Sequence, residues 1–151
     1  MEKVCFMFGH TSVPTDICNA IAMAVEKHYL QYGVRIFVVG NRGEFDQRAA
    51  SAVKALKHRY TDVSLVLLLA YHPGERPVAL TDGVDGSFYP PLEGTPRPFA
   101  IVKANQYMAN HADSIICFAK YPGNSKKLYE YAKRSKRKHY LALDNLGDDF
   151  L

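Results

Sequence analysis

The sequence predicts a single doubly wound α/β domain with a mostly parallel five-stranded sheet. Three observations point there. First, apolar strands run almost directly into small polar turns that open helices. Val4–Phe8 leads to Gly9-His10-Thr11-Ser12, Val34–Val39 to Gly40-Asn41-Arg42-Gly43-Glu44-Phe45-Asp46, and Ser114–Ala119 to Tyr121-Pro122-Gly123-Asn124-Ser125. Second, Val63–Leu69 is nearly continuous apolar residues, as in a central parallel strand covered on both faces. Third, strands alternate with segments of helical periodicity, the pattern of right-handed crossovers and a three-layer sandwich.

The first strand is expected over 3–8 and the first helix over 14–32. Pro14 falls near the first turn, where a missing N–H costs nothing, and Asp16 suits the positive end of the helix dipole. Ile17, Ala20, Ile21, Ala24, Val25 and Tyr29 recur at helical spacing and form one apolar face. Gly33 ends this helix as a C-cap glycine. The second strand is expected over 34–39. The second helix, over 46–60, starts at Asp46 as N-cap and buries Ala49, Ala50, Val53 and Leu56. The third strand is Val63–Leu69.

The stretch 70–98 differs in kind. It holds Pro73, Pro77, Pro90, Pro91, Pro96 and Pro98, six of the eight prolines, with Gly74, Gly83, Gly86 and Gly94. That composition predicts a long ordered loop of functional type, with room for a short strand near Ser87-Phe88-Tyr89. A third helix over 98–111, a fourth strand over 114–119, a fourth helix over 124–135 and a fifth strand at His139–Leu143 complete the chain.

Bulk properties exclude several classes. A chain of 151 residues makes one domain with a full core. No apolar run approaches the roughly 20 residues of a membrane helix. Met1-Glu2-Lys3 leads straight into a strand without the shape of a signal peptide. Cys5, Cys18 and Cys117 are odd in number and contain no CxxC, so they read as small buried apolar residues of a cytoplasmic protein. The net charge of +4 favours anionic partners without demanding nucleic acid. The histidines show no zinc-ligand spacing, so no metal and no resident cofactor is expected.

In an open parallel sheet the strand-to-helix turns gather at the carboxyl edge, where ligands bind. Helix N-termini there present free N–H groups that suit phosphate. Gly9 would let a ligand approach the backbone, with His10, Thr11 and Ser12 as hydrogen-bonding groups; an ordinary capped turn is the alternative. Gly40 and Gly43 bracket Asn41 and Arg42, so their amides offer an anion nest. Asp46 either caps the second helix or accepts from a ribose hydroxyl. Gly123-Asn124-Ser125, followed by Lys126, is a plausible phosphate cradle or a plain helix start. Lys103 and Asn105 lie two positions apart and cannot share one helix face. The basic stretch Lys126, Lys127, Lys133, Arg134, Lys136, Arg137, Lys138 suits a nucleic-acid patch or, more commonly, a solvated helix end. Neither a GxGxxG fingerprint nor a Walker lysine motif is present.

Several of these residues carry a resemblance. The strand ending in Gly9-His10, the stretch Gly40-x-x-Gly43-x-Phe45-Asp46 and its paired alanines resemble the SLOG superfamily, which is Rossmann-like. Tyr89-Pro90-Pro91, Ala100–Asn105, Ala112–Ile116 and Tyr131-Ala132-Lys133 extend the likeness over nearly the whole chain. The family includes DprA single-strand DNA-binding proteins, cytokinin-activating phosphoribohydrolases and sensors of nucleotide-derived signals. The chain departs from the family pattern in two places. Thr11 stands where Gly-His-Arg is usual, and Ala104-Asn105 where Arg-Asn is usual, so two guanidinium groups are missing. The phosphoribohydrolase signature Pro-Gly-Gly-x-Gly-Thr is also absent.

The resemblance therefore implies binding of a small nucleotide-derived ligand rather than turnover, with sequestration of a signalling nucleotide by a phage protein as a special case. The alternatives are an N-glycosidic hydrolase acting on a nucleoside phosphate, with Asp46 or Glu44 as its carboxylate, and single-stranded nucleic-acid binding. A symmetric homo-oligomer is expected, with no membrane association.

Overall fold

The computed structural model describes residues 1–135 and 140–150. In chain order the elements are β1 (Lys3–Gly9), α1 (Ile17–Tyr32), β2 (Val34–Val39), α2 (Glu44–Arg59), β3 (Ser64–Leu68), β4 (Gly86–Phe88), α3 (Ala100–His111), β5 (Ser114–Phe118), α4 (Asn124–Arg134) and β6 (Ala142–Asn145). Short 3₁₀ turns at Arg97–Phe99 and Leu146–Asp149 precede α3 and follow β6. The sheet runs β4-β3-β2-β1-β5-β6, and every pairing is parallel. The chain winds outward from β1 through β2, β3 and β4, then returns to lay β5 on the other side of β1. The order thus reverses between β1 and β5, the switch point at which such sheets bind ligands.

The sheet has six strands rather than five. The sixth, β4, is Gly86-Ser87-Phe88, within one residue of the short strand expected near Ser87-Phe88-Tyr89. It is held by its ladder to β3 and by Leu69 N–H donating to the Phe88 carbonyl at 2.8 Å. The last strand lies later than the predicted His139–Leu143. Tyr140 and Leu141 precede the ladder instead, with the Tyr140 hydroxyl donating to the Ala109 carbonyl at 2.6 Å and Leu141 N–H to that of Asp113 at 2.8 Å. His139, Lys136, Arg137 and Lys138 lie outside the described residues.

The helices divide the core in two. α1 and α2 cover one face, around Ile17, Ile21, Phe37, Phe45, Val53 and Leu65. α3 and α4 cover the other, around Phe6, Phe8, Ala104, Met108, Ile115 and Leu128. α1 begins at Ile17, not at residue 14, because Pro14 to Ile17 forms a separate turn closed by Ile17 N–H on the Pro14 carbonyl. Gly33 ends the helix in the left-handed conformation, as expected. Cys18 is exposed, contrary to expectation, since it stands about 100° around the helix from core-facing Ile17. Cys5 and Cys117 are buried, and burial pushes the Cys5 thiol up to about 12, so it stays protonated and inert.

One polar cluster sits inside the α1 layer. His28 is fully buried, with Nδ1 2.9 Å from Ser114 Oγ and Nε2 2.7 Å from Asp144 Oδ2. Lys27 reaches the same Asp144 oxygen at 3.3 Å. The set looks like a hydrolase triad, but Ser114 is fully buried and offers no access to a substrate. It ties α1 to β5 and β6.

Hydrogen bonding from His28 holds the Asp144 carboxyl below its usual 3.8. The stability this supplies is complete above the unfolded carboxylate range and is lost as pH falls through the depressed folded value. Urea unfolding between pH 6 and pH 2 should show this loss, and Asp144→Asn should remove that part of the acid limb. An unchanged pH profile in the variant would contradict the assignment.

Candidate functional site

The ends of β1 and β2 meet because of two close approaches. Gly9 packs against Phe45, which is fully buried, and a Cβ at Gly9 would stand 2.8 Å from Phe45 Cβ. Gly43 packs on the backbone of Thr11, where a Cβ would stand 2.5 Å from Thr11 Cα. Both gaps are too short for any side chain other than hydrogen. They let Glu44 N–H donate to the Thr11 carbonyl at 3.0 Å and Phe45 N–H to that of His10 at 3.3 Å. The loop after β1 is thereby joined to the start of α2.

His10 joins the third loop. Its Nε2 accepts from two backbone amides, Lys120 N–H and Tyr121 N–H, both at 2.9 Å. That geometry fixes the neutral tautomer with the proton on Nδ1. The ring packs edge-on to Phe118 and against Tyr121. Burial, aided by the charge of Lys126, lowers its pKa. Asn145 secures the same region from β6: its Oδ1 accepts from Ala119 and Gly147 N–H, and its Nδ2 donates to the Ala119 carbonyl.

Above these contacts lies a cavity of about 150 Å³ over the switch point. Gly9, Thr11, Gly40, Arg42, Asp46, Asn105 and Asn124 line it, with Phe6, Phe8, Leu68 and Ile101 behind them. It shares Arg42, Leu68 and Ala70 with a second space of about 250 Å³, which Asn41, Tyr71 and Arg76 also border. Arg76 lies over the Tyr71 ring, 3.9 Å from its centroid, and Arg42 approaches the same ring at 5.8 Å. Neither guanidinium has an ion-pair partner among the described residues.

Eight of the residues singled out in the sequence are therefore brought to one connected edge: Gly9, Thr11, Gly40, Asn41, Arg42, Asp46, Asn105 and Asn124. Phe45 is core and Gly43 is a packing position. Ser12, Lys103, Gly123 and Ser125 do not line these cavities, and Lys103 is exposed, two positions from Asn105, as the helix period requires. Asp46 is not the N-cap. α2 starts at Glu44, and Asp46 lies in its first turn, where Oδ2 accepts Arg42 N–H at 2.9 Å. Burial raises its carboxyl to about 6. Arg76 and Tyr71 were not signalled by any motif. Arg76 stands between Pro73 and Pro77 in a loop whose composition marks it only as ordered.

No family model matches the chain, and no curated protein matches it. Among solved structures it is similar to the Moco carrier protein of Chlamydomonas reinhardtii, with a TM-score of 0.52 and 15% identity. The likeness covers 96% of this chain and 78% of that one, and at this identity it supports the Rossmann-like α/β fold. No helix among the described residues is long and apolar enough to cross a membrane.

Two outcomes follow from the loop contacts. Gly9→Ala and Gly43→Ala should each cost about 1–3 kcal/mol in urea unfolding, as overpacking does. Gly86→Ala, where a Cβ meets nothing within 4 Å, should stay within about 0.5 kcal/mol. Equal costs at all three positions would contradict this. Protonating His10 removes its acceptor, so the ¹⁵N–¹H signals of Lys120 and Tyr121 should move together on acidification, with a midpoint below the ordinary 6.5. The stability His10 supplies is complete above 6.5 and is lost as pH falls toward that lower value. A midpoint above 6.5, or no coupled movement, would refute the pairing.

Proposed function

We propose that this chain holds a small phosphorylated, nucleotide-derived ligand at the carboxyl edge of its sheet without turning it over. The observation that carries the proposal is the pair Arg42 and Arg76, without an ion pair among the described residues and gathered around Tyr71, at a cavity that shares Arg42, Leu68 and Ala70 with the one over the switch point. Two guanidinium groups in that position are suited to bind phosphate bidentately. They supply, from other loops, the charge that the SLOG-like pattern places at Thr11 and Ala104. Asn105 and Asn124 add hydrogen-bonding groups beside the phosphate. The structural neighbour is named a carrier protein, and holding a molecule without converting it is the kind of activity proposed here.

Membership of the SLOG superfamily belongs to the same proposal, as does sequestration of a signalling nucleotide by a phage protein. The outer side of α3, where Phe99 and Val102 are exposed, is the surface through which we propose a symmetric homo-oligomer forms. Single-stranded nucleic acid is not the proposed partner, because a solvated helix end accounts for the described cations of α4.

One observation favours a second reading, N-glycosidic hydrolysis of a nucleoside phosphate. Asp46 is a buried carboxyl raised to about 6 at the cavity wall, which suits a general acid or base.

Adenine nucleotides should raise the Tm and be recovered intact. Arg42→Ala and Arg76→Ala should each weaken binding roughly tenfold to a hundredfold, the loss of a charged hydrogen bond of about 1.5–3 kcal/mol. Release of free base from a nucleoside monophosphate, abolished by Asp46→Asn, would replace binding with hydrolysis. Binding indifferent to both arginine variants would contradict the proposal.

A further inference from the structure

Asp46 borders a further cavity. Beyond Gly40, on the α2 side of the sheet, is a space of about 380 Å³, within the roughly 300–1,000 Å³ typical of small-molecule sites. β2 and β3 supply Val39, Leu65 and Leu67, α2 supplies Ala50 and Ser51, and the segment after Pro77 supplies Val78 and Leu80. This space is distinct from the two that hold the arginines, but it is not separate from them. Asn41 and Val78 border both it and the arginine cavity, and Gly40 and Asp46 border both it and the switch-point cavity.

The chemistry of the lining restricts the occupant. Val78 is 38% exposed and Leu80 43% exposed. Large apolar side chains left wet around an apolar hollow gain about 25 cal/mol for each Å² that an apolar face covers. Asn41, Asp46, Gln47, Ser51, Lys54 and Thr81 supply the polar groups of the lining, and one of them is unusual. Asp46 is 8% exposed. Its Oδ2 is engaged by Arg42 N–H, while Oδ1 receives no donor among the described residues. A carboxylate on a nearly buried residue that borders this space, with one oxygen receiving no donor among the described residues, calls for a ligand that is flat and apolar over its faces and donates at its edge. The segment that closes the cavity is also held in place: Asp85 accepts Leu65 N–H at 2.8 Å and Lys57 Nζ at 2.6 Å, and Lys57 also donates to the Gly83 carbonyl at 2.7 Å.

We propose that this cavity is the ring-binding half of the groove, taking a purine-sized nitrogen heterocycle that donates an N–H to Asp46 Oδ1 while the ligand's phosphate lies against Arg42 and Arg76. The proposal rests on the phosphate reading above and adds the place and chemistry of the ring. Gly40 has a specific part in it. The ligand passes over this residue, where a Cβ would stand 3.0 Å from Asp46 Oδ2. Asp46 becomes a specificity-determining residue, selecting an edge that donates over one that accepts.

The test compares AMP with ribose 5-phosphate, which keeps the phosphate and lacks the ring, by calorimetric titration. The wild type should bind AMP at least roughly tenfold more tightly, as burying a ring in an apolar site requires. Ala50→Met, which fills the cavity, should bring AMP down to the affinity of ribose 5-phosphate and leave the latter unchanged. Ser51→Met, at an exposed helix position bordering the same cavity, makes the same test if Ala50→Met fails to fold. Equal affinity for the two ligands in the wild type overturns the ring site alone. So does an AMP preference that survives the filling variant. Failure of both ligands to bind overturns the phosphate site as well.

Discussion

One imidazole nitrogen organises the carboxyl edge of this protein. His10 Nε2 takes the amide protons of Lys120 and Tyr121, while its own carbonyl takes that of Phe45. The loops after β1, β2 and β5 are thus bound into one body through a single residue. The cost is chemical. Amides that could have formed an anion nest after β5 are consumed in holding the loops together. Anion recognition at this edge then falls to side chains, and Arg42 and Arg76 border the cavity with no ion pair among the described residues. The same constraint explains the glycines. With the loops drawn this close, Gly9 has no room beyond Phe45 and Gly43 none beyond Thr11.

The sequence carried the fold well because strand ends and helix periodicity are local signals. Val4–Phe8, Val34–Val39 and Ser114–Phe118 could be read directly, and their shared polarity placed the site at one edge. The failures are equally physical. The last strand lies at Ala142–Asn145 rather than His139–Leu143, because its place is set by the ladder to β5 and not by its own apolar residues. Asp46 looked like an N-cap because its type and position fit one, but the first turn of α2 starts earlier and uses the carboxylate to hold Arg42 N–H. Gly43 suggested a nest, whereas its role is contact with a backbone 32 residues away in sequence. Arg76 was invisible because nothing in a proline-rich loop says where its side chains gather. The His28–Ser114–Asp144 cluster joins three distant segments and has no spacing to detect.

Two carboxyl groups show how their surroundings move the same chemistry in opposite directions. Asp144 is held below the usual range by the hydrogen bond from His28, with Lys27 beside it. It is satisfied, and its work is to join α1 to the sheet. Asp46 is pushed the other way, to about 6, because burial outweighs the Arg42 amide and guanidinium. A carboxyl left with an open oxygen at the junction of two cavities is the group that a donating ligand would satisfy.

We propose one groove, crossing the sheet edge over Gly40, that receives phosphate at Arg42 and Arg76. A crystal structure grown with AMP would locate that phosphate. It should lie within hydrogen-bonding distance of both guanidinium groups, above the carboxyl ends of β1 and β2. A phosphate seated on the basic face of α4, or at the amino-terminal edge of the sheet, would contradict it.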